Sequence, residues 1–245
     1  MKHSIHSRRL ALVILSVAAL CCTTGTQADD FIVYSPYVTQ GQSEVEFRSA
    51  YQQDNDPALS GTFDYELSIS HAFTDWWQPE IYLGKFERTP DTGNHLIGYE
   101  LENFFQFTPQ GEYWADAGMV LSYEHAGLPG DVSSLEFGPL LEKRSGRFNQ
   151  RLNLIWEKEF GAGAGGKYEF RAAYSLSYRI NSAFAPGFEI YIRPSDKSYS
   201  IGPVLNGELA SANGNELEYR FGVVFGLNPD APNAVWLAQL EYEFN

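Results

Sequence analysis

The chain has almost no cysteine or methionine, little positive charge and, past its opening segment, no long apolar run. Its two Cys, Cys21 and Cys22, both fall within residues 1–28. Those residues read as a secretory signal. Lys2, Arg8 and Arg9 make a positive start, Leu10 to Leu20 an apolar stretch, and Thr26-Gln27-Ala28 a small-residue cleavage site before Asp29. The stretch is too short to span a bilayer as a helix, which takes about 20 residues. Leu20 stands where a lipoprotein signal would place a small residue before Cys21, which argues against lipidation. Cleavage would remove both thiols, so disulfides and thiolate metal sites are excluded in the mature chain. Met119 is then the one methionine left, and a soft copper-binding surface is excluded with it. Asp and Glu number 31 against 17 Lys and Arg, a formal net charge of −14. Losing Lys2, Arg8 and Arg9 takes that from −14 to −17. Such a surface repels nucleic acid and makes no basic grip on acidic lipid.

What the chain does have is aromatic residues, in alternation. In the last dozen, Trp236, Ala238, Leu240, Tyr242 and Phe244 share one parity, while Gln239, Glu241, Glu243 and Asn245 share the other. Successive strand residues point to opposite faces, so such a strand is oily on one side and polar on the other. The same pattern sets Phe63, Tyr65, Leu67, Ile69 and Phe73 against Asp64, Glu66, Ser68 and Ser70. It also sets Leu217, Tyr219, Phe221, Val223 and Phe225 against Glu218 and Arg220. Alternating segments fall near 43–53, 61–74, 79–88, 95–107, 112–124, 133–144, 148–160, 167–181, 186–194, 198–210, 215–227 and 234–245. Gly, Pro, Asn, Asp and Ser separate them.

A soluble sandwich alternates too. Three features favour a membrane: the export signal, strands longer than the five or six residues usual in globular proteins, and aromatic residues near the strand ends. The expected fold is all-β, a transmembrane antiparallel β-barrel of about twelve strands with both termini periplasmic. Its parts are a signal at 1–28, a lead-in at 29–42 that could act as a lid or plug, and the barrel at 43–245. Strand parity puts the turns near 74–77, 108–111, 145–147, 181–183 and 212–215 on the periplasmic side. The loops at 54–57, 89–93, 125–131, 161–166, 194–196 and 228–232 fall outside, only modestly longer. Trp76, Trp77 and Trp114 then mark the periplasmic rim, and Trp156 and Trp236 lie toward the outer one. Leu135–Leu141 resembles Tyr199–Leu205, each around a Gly-Pro that should bend or bulge its strand.

The polar faces define the candidate site. The expected lumen lining is Glu44, Glu46, Arg48, Asp64, Glu66, Glu100, Glu102, Asp116, Glu136, Glu142, Arg144, Arg151, Glu157, Glu169, Arg171, Arg179, Glu189, Arg193, Glu218, Arg220, Glu241 and Glu243. The guanidinium fork suits carboxylates, so Arg–Glu ladders are expected across strands, with Arg48 near Glu241 or Glu243 at the closing seam. The ladders either fill a narrow barrel or form an eyelet that sorts solutes by charge. Excess acid favours cations and neutral polar solutes over anions.

Other chemistry has thinner support. His71 faces outward by parity, and Ser43 or Ser49 could approach it, as a lipid-facing hydrolase would require. No Asn or Asp is placed to orient it. His95 and His125 lack a second His at ligand spacing. Asp54-Asn55-Asp56 and Asn228-Pro229-Asp230 could touch calcium but are explained as turns. Gly161 to Gly166 lacks the Lys-Ser/Thr of a phosphate loop. No catalytic residue, cofactor or metal is expected.

The chain resembles the proteobacterial outer-membrane barrels of the phenol-degradation meta-pathway family. The likeness rests on Tyr37-Val38-Thr39-Gln40-Gly41-Gln42-Ser43-Glu44-Val45-Glu46, on Tyr65 to Ile81 with its Phe-Thr-Asp turn, and on Leu240-Glu241-Tyr242-Glu243-Phe244. It implies an importer of aromatic or other small compounds. The partners expected of the barrel are outer-membrane lipid and, through the C-terminal strand, the barrel-assembly machinery. Terminal Asn245 departs from the usual aromatic ending. The function expected is a passive channel for a small solute still to be named. The alternative is a closed barrel with a structural role or a lipid-modifying activity.

Overall fold

The computed structural model describes residues 30–127, 132–211 and 214–245. The expected signal, the tip of the 125–131 loop and part of the 212–215 turn lie outside the described residues. The strands are β1 (Ser43–Gln53), β2 (Phe63–His71), β3 (Trp77–Arg88), β4 (His95–Gln106), β5 (Asp116–Ala126), β6 (Ser133–Ser145), β7 (Phe148–Phe160), β8 (Tyr168–Tyr178), β9 (Ala185–Arg193), β10 (Ser198–Ala210), β11 (Glu216–Gly226) and β12 (Ala234–Phe244). Each pairs antiparallel with its sequence neighbours, and β1 with β12 closes the barrel. Closure removes the sheet edges that would otherwise leave N–H and C=O groups unpaired. The end where β1 begins and β12 finishes is the proximal end below; the other is distal.

Alternation sorts the faces as the side-chain period requires. Val45, Phe47, Tyr51, Leu67, Ile69, Leu101, Phe221, Trp236 and Leu240 stand exposed on the outside. An apolar exterior this extensive is unfavourable in water and matches a lipid-facing band. Rings cluster at both rims. Proximally, Phe73 stacks on Trp77 at 5.6 Å and Tyr242 on Phe244 at 5.9 Å. Distally, Tyr65 stacks on Phe86 at 5.1 Å and Phe137 on Trp156 at 6.3 Å.

Three local features depart from plain alternation. The fifth strand begins at Asp116, not 112, because Gly111 takes φ 77° and its N–H donates to the Asp116 carboxylate at 2.8 and 3.0 Å. Trp114 therefore stands on the connecting loop. In β3 the register steps from Leu67↔Gly84 to Ser68↔Tyr82, so Leu83 is an extra residue, a bulge that turns Lys85 inward. The two Gly-Pro pairs interrupt ladders rather than shift them. Gly138-Pro139 has no partners on β7 and Gly202-Pro203 none on β11, yet register resumes unchanged on either side. A Cβ on Gly138 would lie 1.9 Å from the Leu154 carbonyl oxygen, and one on Gly202 1.9 Å from that of Val223. Glycine lets the neighbouring backbone close in where proline removes the donor.

Candidate functional site: an occupied lumen and a charged vestibule

Residues 30–42 do not sit outside the barrel. Asp30 pairs with Arg193 at the distal end of β9, and the chain runs down the lumen to Gly41, whose N–H donates to the Ala72 carbonyl at the proximal rim. The first described residue thus lies at the opposite end from Phe244. Between them the lead-in crosses the whole lumen.

Apolar alternation holds this segment in place. Phe31 and Val33 pack with Ala50, Ala173, Tyr191, Val224, Val235 and Leu237. Ile32, Tyr34 and Val38 pack with Ala72, Phe104, Val120, Leu140 and Ile155. The wall residues in both groups are inward-facing apolar side chains in an otherwise polar lining, and they match a ribbon that is apolar on both faces. Polar bonds satisfy the segment's own backbone. The Asn153 side chain accepts from the Tyr34 N–H at 2.7 Å and donates to the Tyr34 carbonyl at 3.1 Å. Val38 N–H donates to Gln106 at 2.7 Å, Ser35 Oγ to Glu142 at 2.7 Å, and Arg220 to the Phe31 carbonyl at 2.9 Å. Tyr37 donates to Asp116 at 2.6 Å.

The sequence-predicted lining residues divide by surroundings. Glu46, Arg48, Asp64, Glu66, Glu100, Glu102, Asp116, Glu142 and Glu189 are buried. Arg48 is the hub of the first group. It contacts Glu46, approaches Glu80 at 3.9 Å and Glu102 at 4.0 Å, and lies over Tyr34 at 5.4 Å and Tyr82 at 5.3 Å. Its register partner on β12 is Gln239, while Glu241 faces Glu46 and Glu243 faces Glu44. The expected seam pairing of Arg48 with Glu241 or Glu243 is therefore corrected: closure sets the register one inward position higher, leaving carboxylate opposite carboxylate. A distal group holds Glu136, Glu157, Glu169, Arg171 and Arg193. Glu136 and Glu157 are in register, as are Glu157 and Glu169, and Arg171 reaches past β7 to grip Glu136 at 2.9 and 2.5 Å. Such pairs cut across the barrel as chords, rather than as ladders between adjacent strands. The Arg220–Glu189 pair from β11 to β9 does the same, with Nε to Oε1 at 2.9 Å.

Some inward residues escaped the sequence reading. Lys85 is fully buried between Glu100 at 2.8 Å and Glu124 at 2.6 Å, and only the bulge places it there. Gln78, Glu80 and Tyr82 follow ordinary parity on the same strand, so alternation could have found them. Asn153, Ser68 and Ser122 are small polar partners within the network.

The remaining predicted residues surround a cavity of about 620 Å³ on the proximal side of the segment, lined by Glu44, Arg144, Arg151, Arg179, Glu218, Arg220, Glu241 and Glu243 among others. Carboxylate oxygens of Glu44, Glu241 and Glu243 lie within 4.8 Å of one another. Glu216 adds to the row through its register with Glu243, and Glu208 and Glu241 both face Glu218. Across the cavity, Glu142 anchors Arg144 and Arg151, each at 2.9 Å.

Outside the lumen, Ser43 Oγ lies 2.9 Å from His71 Nδ1, and the His71 ring meets Phe73 edge-on at 4.7 Å. His95 pairs with Glu87 at 3.3 Å, and His125 stands exposed beside Tyr99 in register. The glycine run joins β7 to β8, with Gly161, Gly163 and Gly166 at positive φ. Asp54 and Asp56 accept backbone N–H groups within their own loop, at 2.9 Å each, as turn residues do.

No family model matches the chain, and no curated protein does. Solved structures do. An outer membrane channel from Pseudomonas putida F1 is 10% identical with a TM-score of 0.56, over 84% of this chain and 96% of that one. The KdgM porin is 12% identical with a TM-score of 0.53, over 82% of this chain and 99% of the porin, which has also been solved with disordered oligogalacturonate. These likenesses are of fold: the chain shares the closed barrel of outer-membrane proteins.

Proposed function

We propose that this chain is an outer-membrane channel for small polar solutes, exported by a cleaved signal and closed at rest by its own residues 30–39. The observation that carries the reading is the proximal cavity of about 620 Å³, enclosed by barrel wall on one side and the lumen segment on the other. A structural barrel has no need to keep such a space polar and open. In this reading the proximal end is periplasmic, where the short turns and the β1–β12 seam lie. The lining carries more Glu than Arg, which favours cations and neutral solutes over anions. The resemblance to phenol-degradation barrels adds small aromatic compounds to the solutes worth testing. The C-terminal strand is the segment offered to the assembly machinery.

The test is reconstitution in a planar bilayer under a salt gradient. Cation-selective steps are expected; an anion-selective reversal potential, or silence in the chain lacking residues 30–39, would sink the reading. A lipid-modifying activity has one observation behind it, the Ser43–His71 contact at 2.9 Å. Among the described residues no carboxylate or amide bonds that ring to orient it, as a serine hydrolase's base requires. Hydrolysis of phospholipid that disappears in His71→Ala would establish it instead.

A further inference from the structure

The vestibule charges are separated by sign around the ring. β7 and β1 stand six strands apart in a ring of twelve, and so face each other across the lumen. The arc centred on β7 is basic: Arg144, Arg147, Arg151 and Arg179 line it. The facing arc, β11–β12–β1, carries Glu218, Glu241, Glu243 and Glu44, and its two arginines, Arg220 and Arg48, are committed to Glu189 and Glu46.

The two arcs do not collapse onto each other, because each is tied to its own wall. Arg144 and Arg151 share Glu142 beneath them at 2.9 Å each. Glu44 accepts from Ser70 at 2.7 Å and from Gln78 at 2.5 Å, and Glu243 accepts from Gln42. Glu218 and Glu241 accept no hydrogen bond and form no ion pair among the described residues, and both face the cavity. Opposite charges are thus held apart over a space of about 620 Å³, a preorganised pair of poles rather than a salt bridge.

We propose that the vestibule binds small zwitterionic solutes, with the ammonium end against the β11–β12–β1 carboxylates and the anionic end against the β6–β8 arginines. A lone cation satisfies one wall and is repelled by the other; a lone anion meets the converse. A molecule carrying both charges gains at each end, and charge-assisted hydrogen bonds are the stronger kind. The inference rests on the channel reading in taking the bound solute to be the one that passes, but binding can be measured without flux.

The probe is 6-aminohexanoate, titrated calorimetrically into the whole signal-free protein in detergent, beside hexylammonium, hexanoate and uncharged 1,6-hexanediol. The zwitterion should bind at least about tenfold more tightly than either single-charge analogue. Glu218→Gln and Arg179→Gln should each remove most of that advantage, and the double variant should bind zwitterion and diol alike. Retained heat-modifiable gel mobility shows that each variant is still a folded barrel. Hexylammonium binding as tightly as the zwitterion, or affinity unmoved by both substitutions, overturns the proposal. Flux of the diol into proteoliposomes without zwitterion binding overturns it while leaving the channel intact. Zwitterion binding without flux of any probe supports the site and removes the channel.

Discussion

The sealed part of the lumen and the proximal vestibule are built from the same residue types and solve the charge problem in opposite ways. In the sealed part, the most deeply buried cations sit among carboxylates. Lys85 lies between Glu100 and Glu124, and Arg48 among Glu46, Glu80 and Glu102. In the vestibule, half-buried carboxylates sit side by side in register, Glu44 and Glu216 each beside Glu243. Burial explains the difference. A charge removed from water is tolerated only with a partner, whereas one that still meets water can stand beside its own sign at small cost. The sealed part holds a chain segment, and the vestibule stays an open, polar space.

Deleting residues 30–39 carries the largest expected effect. If they are a plug, single-channel conductance should rise several-fold; an unchanged conductance would mean the current runs elsewhere. Next is Lys85→Met. Taking the cation from between two carboxylates should cost about 3–5 kcal/mol of stability, read from denaturant midpoints in detergent. A loss under 1 kcal/mol, roughly what an exposed pair contributes, would show that this end of the lumen is wetter than its packing implies. Asn153→Leu removes both bonds to the Tyr34 backbone, and should loosen the segment by about 1–3 kcal/mol. Hydrogen exchange at residues 31–38 measures it: faster exchange there with barrel strands unchanged is the expected pattern. The smallest effect belongs to Glu243→Gln. Relieving a like-charge row should stabilise the barrel by a few tenths of a kcal/mol, roughly the size of one cross-strand pair, and reduce cation preference. A marked loss of stability would show that Glu243 holds the seam.

Much of the barrel is legible in the alternation alone. The faces of β2, β11 and β12 follow from residue parity, because the pleat leaves a side chain only two directions. The acidic lining follows from the same count. Lys85 was hidden because one extra residue, Leu83, reverses parity beyond it. The start of β5 was hidden because Gly111 and Asp116 bond across a loop that reads as continuous strand. The inward apolar residues Val120, Leu140, Val224 and Val235 stand at positions of polar parity, and their partner, the lead-in segment, comes from far away in the chain. The repeated Gly-Pro, read as a bend or bulge, marks two matching ladder gaps with unchanged register.

Local chemistry was therefore enough for the sequence to determine strand number, the lipid-facing surface and the sign of the lining, since each depends on residues one or two positions apart. The tertiary structure alone decided which charges meet, where the lead-in goes and what space is left. Those depend on closing register and on chords across the lumen, which bring together residues such as Tyr34 and Asn153, 119 positions apart. No period within a strand encodes that distance.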